Sequence, residues 1–354
     1  MTPVSHTIVF NILNGAATQL PELHNLSDAG AGKDLMHLTP TRDSELICSG
    51  RALTPLTVAP PATPLTARGL LGNGGISPAV LTRGLLRGLA KRGYRVAFRS
   101  FNFGVARPQP GHSDWYDSAE HYGGFDASPD QLIEQALLPE LTRQARSGHL
   151  SVLAECGVGG TTFSTLWLRL LTGLTLTPAG STKDSAKLAR KQQLLSQLQR
   201  EYRQQRQGFC ADTLLGNPRF HDAIQRAVYR LLRHWPQDLP LPRLAGGMMF
   251  VAPLLAAHRA RPDLTGSVDT TRWVTAGEGQ AVLAHLPEGW RLRLNCTDFN
   301  RSPHRCLNLY EQGLVVEGCG LGGCLVLAEQ LGLDQDEIIG TLNRAVTEHM
   351  NQFG

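Results

Sequence analysis

Residues 150–171 constrain the fold more than any other stretch of this chain. Residues 150–154 are apolar and strand-like, Glu155-Cys156-Gly157-Val158-Gly159-Gly160 follows as a glycine turn, and residues 161–171 read as a helix. Strand, glycine turn and helix in direct succession are the unit of a parallel sheet, which takes ligands at the carboxyl ends of its strands. The pattern recurs. Ser77 caps a helix that Pro78 can start, leucines at 81, 85, 86 and 89 give it an apolar stripe, Gly93 stops it, and residues 94–98 form a strand. A helix over 129–145 leads into residue 150. Further strands are expected at 7–13, 242–244, 266–269 and 290–296, with Gly246 and Gly247 ahead of a helix over 248–259. The expected class is α/β: an open, mostly parallel Rossmann-like sheet with helices on both faces.

A chain of 354 residues with 42% hydrophobic and 18% charged residues has material for a large core, which excludes a wholly disordered chain. No apolar run reaches the roughly 18–20 residues of a membrane span. Residues 1–14 lack the basic start and apolar stretch of a signal peptide. Seven cysteines, at 48, 156, 210, 296, 306, 319 and 324, form no C-x-x-C pair. They read as the buried thiols of a reduced cytoplasmic protein, without a disulfide framework. The net charge of +4 suits an anionic small molecule and demands no nucleic acid. Residues 183–206 form a basic helix with seven Lys or Arg against two acids, read as the solvated face of a packed helix. Residues 53–67, rich in proline and threonine, read as a connector or a wall of a binding site.

Two segments carry candidate chemistry. In residues 155–162 three glycines can aim backbone amides at one point, a helix start adds positive field, and Thr161 and Thr162 add hydroxyls. That is a phosphate cradle, though no lysine follows the last glycine as in a Walker loop. A plain glycine turn with a threonine cap is the alternative. Residues 315–323 hold G-x-G-x-x-G at 318, 320 and 323, but no strand ending in an acid follows, so a dinucleotide fingerprint is rejected. What remains is Glu317, a carboxylate ahead of a tight glycine turn. Partial burial would raise its pKa toward that of a useful base; an incidental glutamate beside a packed turn is the alternative. The segment 111–126 offers His112, Asp114, Asp117, Glu120 and His121 in no familiar metal spacing, and no metal is expected there. No G-x-S-x-G elbow occurs.

Six segments in order resemble one family, the nicotinate-nucleotide:5,6-dimethylbenzimidazole phosphoribosyltransferases of cobalamin biosynthesis, above all their archaeal-type branch. Residues 39–47 (TPTRDSELI) are similar to T-P-A-A-D-A-E-L, and 74–84 (GGISPAVLTRG) to G-I-P-S-P-A-x-x-T-R-A. Residues 155–162 (ECGVGGTT) resemble E-x-x-P-G-G-T-T, and 244–249 (LAGGMM) resemble L-A-G-G-T-Q. Residues 270–274 (TTRWV) match T-T-R-W-V, and 310–323 (YEQGLVVEGCGLGG) resemble Y-E-x-G-x-V-K-E-G-V-G-A-G-G.

The resemblance implies transfer of the phosphoribosyl group of nicotinate mononucleotide to a benzimidazole-like base, without a cofactor. It implies that Glu317 is the general base. Glu155, Gly157, Gly159, Gly160, Thr161, Thr162 and Ser181 would hold the phosphate and nucleotide. Gly246 and Gly247 would line its ribose or nicotinate end, and Ile76, Ser77 and Pro78 would border the base pocket. It further implies a large domain over 70–300, a smaller discontinuous one from 1–69 and 301–354, and a homodimer, with no nucleic acid or membrane partner. The chain departs from the family pattern at Val158, Ala245, Met248-Met249 and Val316, and only Gly180-Ser181-Thr182-Lys183-Asp184 stands where the archaeal serine run lies. These departures leave open a non-catalytic nucleotide-binding homologue, a sensor or partner subunit.

Overall fold

The computed structural model describes residues 7–20, 22–27, 35–54, 69–111, 113, 115–176 and 182–353. Among these residues seven strands form one sheet: β1 (Thr7–Ala16), β2 (Arg95–Phe103), β3 (Ser118–Gly124), β4 (Leu150–Val158), β5 (Arg243–Ala245), β6 (Gly266–Thr270) and β7 (Trp290–Leu294). Their order is β3-β2-β1-β4-β5-β6-β7, and every neighbouring pair is parallel. The expected α/β class holds, and the sheet is parallel throughout the described residues.

Helices connect the strands. α1 (Thr39–Ser49) and α2 (Pro78–Lys91) precede β2. α3 (Pro129–Leu132) and α4 (Leu138–Arg146), joined by a π-helical turn over Ile133–Leu137, lead into β4. α5 (Gly160–Thr172) leaves β4 at once, and α6 (Ser185–Gln205), α7 (Ala211–Leu215) and α8 (Ala223–His234) follow before β5. α9 (Val251–His258) links β5 to β6, and α10 (Gly279–Leu283) links β6 to β7. α11 (Arg305–Glu311), α12 (Leu321–Gln330) and α13 (Gln335–Met350) close the fold.

Alternation along the strands feeds two cores, one on each face. Ile8, Phe10 and Ile12 of β1 join Val96 and Phe98 of β2 and Val152 and Ala154 of β4 beneath α1, α2, α12 and α13. Leu13, Phe101, Phe103 and Leu153 point the other way, into α4, α5, α6, α8 and α9.

Several expectations change. β1 lies in the middle of the sheet, so residues 7–16 are part of the large unit and not of a separate terminal one. The terminal helices form one covering layer of that sheet, because α2, α12 and α13 share a core with β1. β3 falls within the segment 111–126, where no strand is expected from the sequence: its residues, Ser-Ala-Glu-His-Tyr-Gly-Gly, are partly exposed at the sheet edge and carry no apolar run. Finally, β4 runs on to Val158, so Glu155 is a strand residue and the turn begins at Gly159.

Candidate active site

Strand connections diverge between β1 and β4, so their carboxyl ends flank the crevice where a parallel sheet takes its ligand. Glu155, opposite Leu13 in the β1–β4 ladder, stands at that place. Its Oε2 accepts from the Gly157 amide at 2.9 Å, and no donor among the described residues reaches Oε1. Burial, reinforced by the Glu317 carboxylate, pushes the Glu155 carboxyl up to about 8.

Glu317 enters from the loop between α11 and α12. The Cys319 amide donates to the Glu155 carbonyl at 3.1 Å and fastens this loop to β4. Gly320 lets the approach happen: its φ is 72°, and a Cβ there would stand 2.6 Å from Ala154 Cβ. Four donors hold the Glu317 carboxylate. Gly318 and Gly322 amides reach Oε1 at 3.0 and 3.1 Å, and the Thr271 amide and Thr270 hydroxyl reach Oε2 at 2.8 and 3.1 Å. Burial raises its pKa and these bonds pull it back, leaving it above the ordinary value. Gly246 and Gly247 lie beneath the two acids: a Cβ on Gly246 would stand 3.4 Å from Glu155 Cγ, and one on Gly247 3.5 Å from Glu317 Cγ. Residues from β4, the β5–α9 turn, the end of β6 and the α11–α12 loop thus meet at one point.

The start of α5 lies beside it. Gly159 has φ 82° and packs against Leu23, so no larger residue fits. The first turn of a helix leaves amides without intrahelical acceptors. Lys191, buried in α6, donates from Nζ to Thr161 Oγ1 at 2.9 Å. Burial, and then the Arg169 charge, lower Lys191 to about 8. The glycines do not form an open bowl, however. The thioether of Met249 lies against Gly157 and Gly160, with Cε 2.7 Å from where a Gly157 Cβ would be. Asp222 Oδ2 faces the same hollow, 3.1 Å from the Cβ position of Gly160, buried and without a hydrogen-bond partner. Burial pushes Asp222 up to about 6.

No protein-family model matches the chain. Over nearly its whole length it is similar to proteins called UPF0284 protein. The one from Microcystis aeruginosa is 29% identical over 335 residues, covering 88% of this chain and 84% of the relative. The one from Pyrobaculum calidifontis is 26% identical over 340 residues, 92% of each. Among solved structures, it is similar to the crystal structure of CobT from Thermus thermophilus, with a TM-score of 0.48, 14% identity, and 97% of this chain and 83% of that one covered.

Among the residues that the sequence singled out, Glu155, Gly246, Gly247 and Glu317 come together, with Gly157, Gly159, Gly160, Thr161 and Thr162 next to them. Ile76, Ser77 and Pro78 border the same loop. The Ile76 carbonyl accepts from Tyr310 at 2.8 Å, Ser77 Oγ lies 3.2 Å from Asp43, and Pro78 Cγ is 3.3 Å from the Cβ position of Gly318. Ser181, the segment 55–68, His112 and Asp114 lie outside the described residues. Sequence reasoning missed Lys191, Asp222, Thr270 and Thr271. Lys191 left a signal: it falls in phase with Leu194, Leu195, Leu198 and Tyr202 on the buried stripe of α6, where a solvated lysine has no place. No helix among the described residues is long and apolar enough to cross a membrane.

Proposed function

We propose that this chain is a phosphoribosyltransferase that moves the phosphoribosyl group of nicotinate mononucleotide to a benzimidazole-like base. The reading is carried by the convergence of two buried carboxylates, Glu155 and Glu317, over Gly246–Gly247 beside the Lys191–Thr161 pair. It rests also on the six-segment resemblance.

The bond from ribose C1′ to the pyridinium nitrogen breaks, and its electron pair returns to the ring, releasing nicotinate. The acceptor nitrogen bonds C1′ from the opposite face, giving the α-nucleotide, and then loses its proton to a carboxylate. An acid with a pKa near 8 is mostly neutral at pH 7, so Glu155 is the protonated member of the pair, while Glu317, whose two oxygens accept from four donors, has the surroundings of a carboxylate and takes the proton. All lone-pair directions of Glu317 are engaged, so proton acceptance requires one donor to turn away. The Thr270 hydroxyl can rotate; the three amides cannot. Lys191, the α5 amides and the threonine hydroxyls balance the phosphate. Met249, unbranched and flexible, swings from Gly157 and Gly160 to admit it. The unpartnered Asp222 oxygen is an acceptor for a ribose hydroxyl.

The test is incubation with nicotinate mononucleotide and a panel of benzimidazoles, purines and phenols. Free nicotinate with at least one acceptor is expected; none with any acceptor overturns the reading. The packing of Met249 on the cradle favours a second reading, a non-catalytic nucleotide-binding homologue. It predicts calorimetric binding of the nucleotide without turnover by folded protein.

A further inference from the structure

We propose that Asp43, Cys156 and Cys319 form a binding site for a thiophilic divalent cation of the zinc class, which staples the two halves of the carboxylate site. The three side chains come from α1, β4 and the loop before α12, and their ligand atoms close into one triangle. Cys156 Sγ lies 3.5 Å and Cys319 Sγ 3.6 Å from Asp43 Oδ2, and the two sulfurs are 3.6 Å apart. Among the described residues no other three such groups converge in this way.

The edges of that triangle match a coordination sphere. Zinc–sulfur bonds of about 2.3 Å and zinc–oxygen bonds of about 2.0 Å at tetrahedral angles place sulfurs about 3.8 Å apart and sulfur and oxygen about 3.5 Å apart. A cation therefore fits with the ligand atoms close to where they stand. It leaves a fourth position for a solvent or substrate atom. The surroundings supply an orienting shell: Ser77 Oγ lies 3.2 Å from Asp43 Oδ1 and steadies the carboxylate through its other oxygen. Thr82 Oγ1 donates to the Cys319 carbonyl at 3.1 Å, and Cys319 keeps the unusual φ of 53° that directs its sulfur inward. Both cysteines are buried, and Asp43 is half-buried. Binding replaces the two thiol protons, which leave to solvent. Cys156 follows Glu155 in β4, and Cys319 follows Glu317 by two residues, so the cation would tie the Glu317 loop to the strand that carries Glu155.

Titration of the reduced full chain with cobalt(II), the spectroscopic stand-in for zinc, tests this. One equivalent is expected to produce the near-ultraviolet thiolate-to-cobalt band, bleached by added zinc. Cys156→Ser and Cys319→Ser are expected to weaken binding by about tenfold or more, while Cys210→Ser and Cys296→Ser leave it intact. No thiolate band, or an unchanged affinity in both Cys156→Ser and Cys319→Ser, overturns the proposal and leaves a pair of thiols hydrogen-bonded to a carboxylate. A readout on the unaltered protein covers the case in which the variants do not fold. Zinc is expected to slow alkylation of Cys156 and Cys319, mapped by mass spectrometry, by about tenfold or more relative to the metal-free chain, and equal rates overturn the site. Neither measurement uses a nucleotide or an acceptor base, so its outcome is independent of the proposed reaction.

Discussion

Lys191 Nζ donates to Thr161 Oγ1 across 2.9 Å, and so a lysine thirty positions downstream supplies the cation that the glycine turn itself lacks. The charge is held in a buried place with Arg169 nearby, at a cost that an arriving phosphate would offset.

Lys191→Met is therefore expected to act with opposite signs on stability and binding. The folded-state pKa, about 8, lies below the ordinary 10.5, so the folded chain holds fewer protons than the unfolded chain between those values and stability rises with pH through that window. At neutral pH the buried ammonium costs stability. Replacing it with methionine should stabilise the free chain by on the order of 1–2 kcal/mol and weaken nicotinate mononucleotide binding by about tenfold or more. Denaturant titration and calorimetry on the same variant check both signs.

Glu155→Gln should flatten the dependence of stability on pH. The carboxyl is raised from 4.5 to about 8, so the folded chain keeps a proton that the unfolded chain has lost across that range. Stability of the parent falls as pH rises through the window. A glutamine carries no charge to bury, and the variant should exceed the parent by on the order of 1–3 kcal/mol near pH 9, with little difference near pH 4. Equal pH profiles in thermal unfolding would show that Glu155 is not buried as described.

Glu317→Gln replaces one acceptor oxygen with an NH2 group facing fixed donors. Oε1 receives two amides and Oε2 an amide and a hydroxyl, so either amide orientation opposes at least one backbone N–H. A stability loss of about 1–3 kcal/mol is expected. Nucleotide binding should persist while turnover falls about 10²–10⁴-fold; an unchanged rate removes Glu317 from the chemistry.

Met249→Ala uncovers Gly157 and Gly160. The deletion of a buried methionine side chain should cost about 2–5 kcal/mol of stability. Nucleotide binding should tighten, because no side chain then has to move before phosphate reaches the amides. Calorimetry that shows weaker binding in a folded variant would place the phosphate elsewhere.

Local patterns in the chain were enough to set the class of this molecule. Strand, glycine and helix follow one another closely at β4–α5 and again at β5–α9, and the alternation within β1, β2 and β4 commits them to burial on both faces; backbone geometry alone makes such patterns legible. Residue types singled out Glu317 and the glycine turn at 155–162, and the family resemblance added Glu155 and the glycine pair at 246–247. β3 escaped notice because an edge strand with one side near solvent needs no apolar run, and the length of β4 was misjudged because its last residues pair with β1 as far as Ala16 despite their glycine. What those residues meet was left to the packing of distant segments. Glu155 and Glu317 lie 162 positions apart, Met249 covers glycines about ninety positions earlier, and Asp43 reaches Cys156 and Cys319 from α1. Such meetings follow from the order of strands in the sheet and from which face each helix covers. No periodicity within a segment encodes them, because the contacts form between segments whose own patterns are satisfied separately.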